Sequence, residues 1–308
     1  MRFASFVTTF NRPERLRRTL EITLAQTRPP DLLLVIDNGD PGVAEPVVAE
    51  FPGPRIAFHA MGENAGPAGA AAYGLERLAA EGFDWIGWGD DDTPPKTADA
   101  FERLLRLAAG GPDDLGGVGA VGARFDWRRG ELVRLADADL AGVIEVDAIG
   151  GGLQLILRRE AVRAVGLPDR RLFFGFEDPE YCLRLRRAGY RLWVEGELMR
   201  TYRQSAGRMG LELRRAVTPA HSADRLWRRY YVTRNYIHVM RTEFGRPDLA
   251  RREAARSVLR ALTAWRRGPG YGLRFGRLQL RGVVDGYRGR LGRTVAPQAK
   301  VYTAADPE

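Results

Sequence analysis

The chain has 308 residues, 44% hydrophobic and 28% charged, a balance that excludes a largely disordered protein. Its single cysteine, Cys182, excludes an internal disulfide and a cysteine-based zinc cluster. The net charge of +9 is unevenly held: residues 201–308 carry 23 Lys+Arg against 8 Asp+Glu, and residues 1–200 carry 25 against 31. An acidic body and a basic C-terminal region follow, and the latter admits three partners: water, an anionic membrane surface or nucleic acid. No apolar run approaches the roughly 18 residues that span a bilayer, and the opening MRFASFVTTFNRPER lacks a signal peptide's apolar core. The expectation is a cytoplasmic protein, with peripheral attachment to the inner face of the plasma membrane where the basic region meets lipid.

Taken in order, FASFVTTF (3–10) reads as a buried strand, after which Asn11, Arg12 and Pro13 open a helix with Leu16, Leu20 and Leu24 on one face. RPPD turns the chain into the strand LLLVIDNGD, ending at Asp37 and Asn38. A short helix over Val43–Glu50 leads to IAFHAM as a third strand. GENAGPAGAAAYGLERLAAEG is a glycine-rich loop running into a helix, and FDWIGWG is a fourth strand. This βαβαβαβ order predicts a parallel sheet with helices on both faces. Ligands in such sheets sit at the carboxyl ends of the strands, where Thr8–Arg12, Asp37, Asn38, Asn64 and Asp90–Asp92 all fall.

A helix over Thr97–Ala109 follows, then GVGAVGARFDW, VIEVDAIGGG and LQLIL, which suggest a mixed sheet region. RREAVRAVG reads as a short helix ahead of RRLFFGFEDPEYCLRLRRAGYRLWVEG. From Thr218 the chain reads as helical and arginine-rich, and the end beyond Pro297 as frayed.

Two acidic clusters carry the chemistry. In GWGDDDTPP, alternate residues leaving a strand point to one side, so Asp90 and Asp92 can share a cavity while Asp91 turns to a backbone or basic partner. Two carboxylates make a minimal grip for Mg²⁺ or Mn²⁺, which complete their shells with water and phosphate oxygens. The competing reading is a helix N-terminus, where acids are favoured anyway. In FFGFEDPEYCLRLRRAGY, Asp178 precedes Pro179 as an N-cap residue would. It equally fits a general base, since an aromatic pocket raises a carboxylate's proton affinity. GENAGPAG brings backbone close to a ligand and opens an anion-attracting helix N-terminus, and Asp37 could accept a ribose hydroxyl or base N–H.

TTFNRPERLRRTL, VIDNGD, ENAGPAG, GWGDDDTPP, the glycines at 150–152 and FFGFEDPEYCLRLRRAGY stand in the order seen in inverting glycosyltransferase family 2 proteins of the GT-A fold. The chain resembles bacterial galactofuranosyltransferase-like and rhamnosyltransferase-like members over residues 3–200, and RRYYVTRNYIHV (228–239) is similar to a helix that often follows. The resemblance implies a Rossmann-like mixed, mainly parallel sheet as catalytic domain over 1–217. Residues 1–95 would bind the nucleotide-sugar and 96–217 would serve catalysis and the acceptor, with a basic helical extension over 218–308. It implies a UDP- or dTDP-sugar donor and a saccharide or polyprenyl-linked acceptor, in cell wall or exopolysaccharide biosynthesis. Thr8, Asn11, Arg12, Asp37, Asn64, Gly66, Asp90, Asp91 and Gly151 would meet nucleotide or donor. Asp90 and Asp92 would hold Mn²⁺ or Mg²⁺, Asp178 would be the catalytic base, and Phe176, Glu177 and Trp193 would face the acceptor. A homodimer through the basic region is a further expectation; a nucleic-acid partner is not expected.

The chain departs from the family pattern twice. Relatives commonly place a metal-binding histidine about two dozen residues after the base, where MRTYRQSAG has none and His221 is the nearest later candidate. In GPAGAAAYG, alanines stand where relatives often carry extra glycine and an arginine. Two other classes share parts of the pattern: sugar-nucleotide nucleotidyltransferases, which would need a glycine-rich loop where TTFNRPE stands, and non-catalytic nucleotide or nucleic-acid binding modules, which would not need Asp90 or Asp92.

Overall fold

A computed structural model describes residues 1–150, 152, 154–210 and 225–296. The first half alternates β1 (Phe3–Thr9), α1 (Pro13–Leu24), β2 (Leu32–Asp37), α2 (Glu45–Ala49), β3 (Ile56–Ala60), α3 (Gly66–Ala80) and β4 (Trp85–Asp90). All four strands run parallel, in the order β3-β2-β1-β4, as expected. Alternation along each strand sorts the core onto two faces. Phe6, Leu34 and Ile36 pack towards α3, whereas Val7, Leu33 and Val35 pack with Leu16 and Leu20 of α1.

After α4 (Ala100–Ala109) come β5 (Leu115–Gly119), β6 (Gly122–Asp126), β7 (Glu131–Val133), β8 (Val143–Val146), β9 (Ala148–Ile149) and β10 (Leu155–Arg158). Then follow α5 (Arg159–Val165), α6 (Glu177–Arg187), β11 (Arg191–Glu195) and α7 (Gly196–Ser205). The eight-stranded sheet continues beyond β4 as β10-β5-β11-β8, with β10 antiparallel to both neighbours. VIEVDAIGGG thus divides: β8 pairs with β11 in the large sheet, and β9 joins β6 and β7 in a small three-stranded one. The mixed, mainly parallel sheet and helical C-terminal region are those of the GT-A fold.

The C-terminal helices α8 (Leu226–Thr242), α9 (Pro247–Thr263) and α10 (Pro269–Arg288) pack on one another and, through α8, on the body. Tyr236, Ile237 and Met240 of α8 share an apolar cluster with Phe125 and Leu183. Among the described residues no helix is long and apolar enough to cross a membrane.

Candidate active site

The carboxyl ends of β1 and β4 lie side by side, Thr8 opposite Asp90. Thr8 Oγ1 donates to Asp90 Oδ1 at 2.5 Å, and Thr9 Oγ1 donates to Asp91 Oδ2 at 2.7 Å. The strand ends at Asp90, and the three acids divide otherwise than alternation predicts: Thr8 holds Asp90, whereas Arg12 holds Asp91 and Asp92 together. Asp91 is buried, at 2% exposure, and its carboxylate also accepts from Arg12 Nη1 at 2.8 Å, while its carbonyl accepts from Thr19 Oγ1. Arg12 Nη1 bridges as well to Asp92 Oδ2 at 2.8 Å. Asp91, expected among the donor contacts, is therefore a support beneath the pocket floor: burial and its bonds to Thr9 and Arg12 take it out of a ligand's reach. Arg12 answers the acidic run directly, and Asp92 would have to exchange that guanidinium for a cation.

Asp90 is different. Burial, then Asp92, raises its proton affinity, Thr8 opposes this, and Asp91 and Asp178 add to the rise, bringing its pKa to about 7. Asp91 reaches about 6, driven by burial and opposed chiefly by Arg12. Asp178 is the second residue of α6 and half-buried. Its neighbour Glu177 is 9% exposed, and its Oε2 has no partner among the described residues. Burial first, then Asp178, and further Asp90, push Glu177 well above the ordinary carboxylate range. Asp90, Glu177 and Asp178 thus feel one another as like charges across the gap between β4 and α6.

A short loop closes over Asp90. A Cβ on Gly152 would stand 2.6 Å from Thr93 Oγ1 and 2.9 Å from Asp90 Oδ2, so only glycine leaves that approach open. Thr93 Oγ1 is buried without a partner among the described residues. Gln154, in the left-handed region at φ 52°, donates from Nε2 to Thr93 O at 2.7 Å and accepts from the Tyr202 hydroxyl of α7. Gln154 and Tyr202 escaped the sequence reading, because a helix after β11 was not foreseen and neither residue type is diagnostic.

The remaining expected positions ring this centre. Asp37, at the end of β2, is buried, accepts from Gly39 N at 2.7 Å and is raised in pKa by burial. Asn11, at φ 53°, donates from Nδ2 to Asp40 Oδ2 and accepts from Asp40 N, joining the loops after β1 and β2. Asn64 Oδ1 accepts from Gly66 N at 3.0 Å and shapes the entry to α3. Gly66, at φ 71°, lies so close to the carbonyl of Phe173 that a side chain would collide with it, and Ala68 N donates to that carbonyl. This contact ties the glycine-rich loop to the turn that delivers α6. Asn38 holds the same loop, accepting from Ala65 N and donating to Gly66 O.

Two residues expected at the acceptor have other neighbours. Leu192 and Val194 of β11 pack towards α6, so the intervening Trp193 points to the opposite layer, against the cluster that contains Leu104, Leu198 and Tyr202. Phe176 caps α6 in the left-handed region, φ 72°, with its ring edge-on to Tyr236 of α8 at 5.1 Å. Gly151 and His221 lie outside the described residues.

The turn before α6 rests on two buried residues of α8 that sequence reasoning did not single out. Asn235 donates from Nδ2 to the carbonyls of Leu172, Phe174 and Gly175 at 2.9, 3.0 and 2.7 Å. Arg234 donates to Leu172 O, Gly292 O and Asn235 Oδ1, with its guanidinium 4.7 Å from the Tyr231 ring centroid. Both are fully buried. Their only sequence signal was polarity inside an otherwise apolar helix, TRNYIHVM.

Among the described residues no group of three or more His, Cys, Asp or Glu forms a ready metal cage. Asp90, with Asp92 nearby, nevertheless suits a hard cation: all donors are oxygens, and mutual repulsion among the carboxylates favours positive charge there.

Comparison with known proteins bears on the fold and on the first half of the chain. The family model for glycosyl transferase family 2 matches residues 6–134, from β1 through β4 and its acids to β7. The galactofuranosyltransferase GlfT1 of Mycobacterium tuberculosis is 33% identical over 198 residues, and that of Mycolicibacterium smegmatis 33% over 204. Each match covers 59% of this chain and just under two thirds of the relative, 64% and 65%. Among solved structures, a mannosyltransferase from Pyrobaculum calidifontis in complex with GDP-Man and Mn²⁺ superimposes with a TM-score of 0.54 at 14% identity, covering 94% of this chain and 88% of that one. GalNAc-T7 with UDP, GalNAc and Mn²⁺ gives 0.53 at 16% identity, covering 64% and 42%. At these identities the structures speak for the fold alone.

Proposed function

We propose that the protein is an inverting glycosyltransferase that moves a sugar, of galactofuranose or rhamnose type, from a UDP or dTDP donor to a hydroxyl of a saccharide or polyprenyl-linked acceptor. The observation that carries this reading is the mutual electrostatic strain of Asp90, Glu177 and Asp178 at the carboxyl end of β4, in a fold whose likenesses include nucleotide-sugar complexes.

In this reading Asp37 and Asn11 bound the nucleoside end of the pocket, and Asn64 and Gly66 place backbone near the donor. Asp90 and Asp92 would hold Mn²⁺ or Mg²⁺; when bound, the cation would neutralise charge growing on the departing nucleoside diphosphate. Asp178, on the rigid first turn of α6, takes the proton of the acceptor hydroxyl as that oxygen attacks the sugar C1 from the face opposite the leaving group, which inverts the configuration. Glu177, with its unpartnered buried oxygen, is placed to accept a hydrogen bond from the acceptor. The brace from α8 matters because a base misplaced by an ångström loses much of its effect.

Transfer from UDP- and dTDP-sugars to a saccharide acceptor, followed by product stereochemistry, tests the reading. Asp178→Asn should lower turnover while leaving donor affinity near that of the wild type. Near-normal turnover in that variant would remove Asp178 as the base.

A further inference from the structure

The outer surface of α9 and α10 has no part in the pocket. Seven of the twelve exposed large apolar side chains among the described residues fall between Val258 and Val284. On α9 and the turn after it they include Leu259, Leu262 and Trp265, at 62, 65 and 52% exposure; on α10 they are Leu273, Leu280 and Val284. Gly272 packs on Trp265 and Gly276 faces Ala261, so the seam between the helices runs between the two stripes and makes them one surface. The same stretch, 251–290, carries eleven arginines against two acids, Glu253 and Asp285. Both acids are already engaged, by Arg260 and by Tyr230 and Arg281. Among the described residues the exposed Arg274 and Arg277 have neither a hydrogen bond nor an ion pair. Beside them, α10, Trp227 and Val295 enclose an open groove of about 700 Å³, apolar in its floor and cationic at its edge.

We infer that this α9–α10 surface docks on an anionic lipid bilayer, its apolar stripes entering the interface and Arg274 and Arg277 meeting headgroup phosphates. Interleaved apolar and arginine positions are what a helix lying in a membrane interface presents. Unneutralised guanidiniums add attraction to anionic lipid. A nucleic-acid partner would use the arginines but leave the leucine and tryptophan stripe without a purpose, so the bilayer accounts for both features. The inference stands apart from the transferase reading, since docking needs no catalysis.

The test is sedimentation of the full chain with phosphatidylcholine vesicles, with and without phosphatidylglycerol, at low and high salt. The wild type should sediment with the anionic vesicles, less so in high salt, and not with the neutral ones. Arg274→Gln with Arg277→Gln, and separately Leu259→Ser with Leu262→Ser and Trp265→Ser, should each lower partitioning by roughly tenfold or more. These positions are exposed, so an unchanged melting temperature checks that the fold is kept. No recovery with anionic vesicles, or recovery untouched by both variants, would overturn the inference. So would a dimer dissolved by the serine variant, or salt-dependent DNA binding, in the absence of vesicle binding.

Discussion

The pocket at the ends of β1 and β4 and the brace between α6 and α8 are both polar and buried, yet they are built on opposite terms. In the brace, Asn235 and Arg234 satisfy three carbonyls of a strained turn, those of Leu172, Phe174 and Gly175. In the pocket, Asp90, Glu177 and Asp178 face like charges, and Glu177 and Thr93 hold buried oxygens without a partner among the described residues. A satisfied buried network fixes one geometry, whereas groups left in strain are held by their surroundings for a ligand to relieve. The comparison says which region should lose activity when altered and which should lose stability.

Asp178→Asn should break the pocket's side hardest, with turnover falling by about 10²- to 10⁴-fold and little change in melting temperature, as steady-state kinetics and calorimetry would report. Asn235→Ala should invert that pattern. Stripping a donor from three buried carbonyls costs on the order of 2–4 kcal/mol in denaturant titration, and turnover should fall with it because α6 loses its seat. A stable Asn235→Ala protein would show that the turn holds itself.

Asp90→Asn sharpens the contrast by its sign. The folded-state pKa of about 7 lies above the ordinary 3.8, so folding favours the protonated form and stability is lost as pH rises from about 4 through 7. Without divalent metal, the asparagine variant should therefore be more stable than wild type at pH 8, by about 1–3 kcal/mol, and equal to it near pH 4. A variant less stable at pH 8 would mean that Asp90 is structural. The smallest effect is expected for Tyr202→Phe, which removes the buried bond to Gln154 and the acceptor of Lys96 N and should cost about 1–2 kcal/mol, with a modest drop in donor affinity through the loop over Asp90.

The first half of the fold was legible because parallel strands and their helices declare themselves locally: continuous apolar runs such as LLLVI, helix openings at Pro13 and after Asn64, and acids placed where β4 ends. Strand alternation foretold that Asp91 would meet a basic partner, but not that Arg12 would hold Asp92 as well, because the strand ends at Asp90. Sequence could not reveal what depends on distant pairing. Trp193 was expected at the acceptor, but its orientation is set by the register of β11 between β5 and β8. Asn235 reads as one polar residue in a helix until three carbonyls sixty residues earlier are brought to it. The split of β8 and β9 between two sheets hinges on a two-residue strand with no composition of its own.

In the proposed function, the carboxyl end of β4 binds a nucleoside diphosphate through a divalent cation held by Asp90. Calorimetric titration of UDP and dTDP, each with and without Mn²⁺, into wild type and Asp90→Asn tests it most directly. The account predicts metal-dependent binding of one of the two nucleotides that the substitution abolishes. Binding that ignores both the metal and Asp90→Asn, or no binding of either nucleotide at any metal concentration, would contradict it.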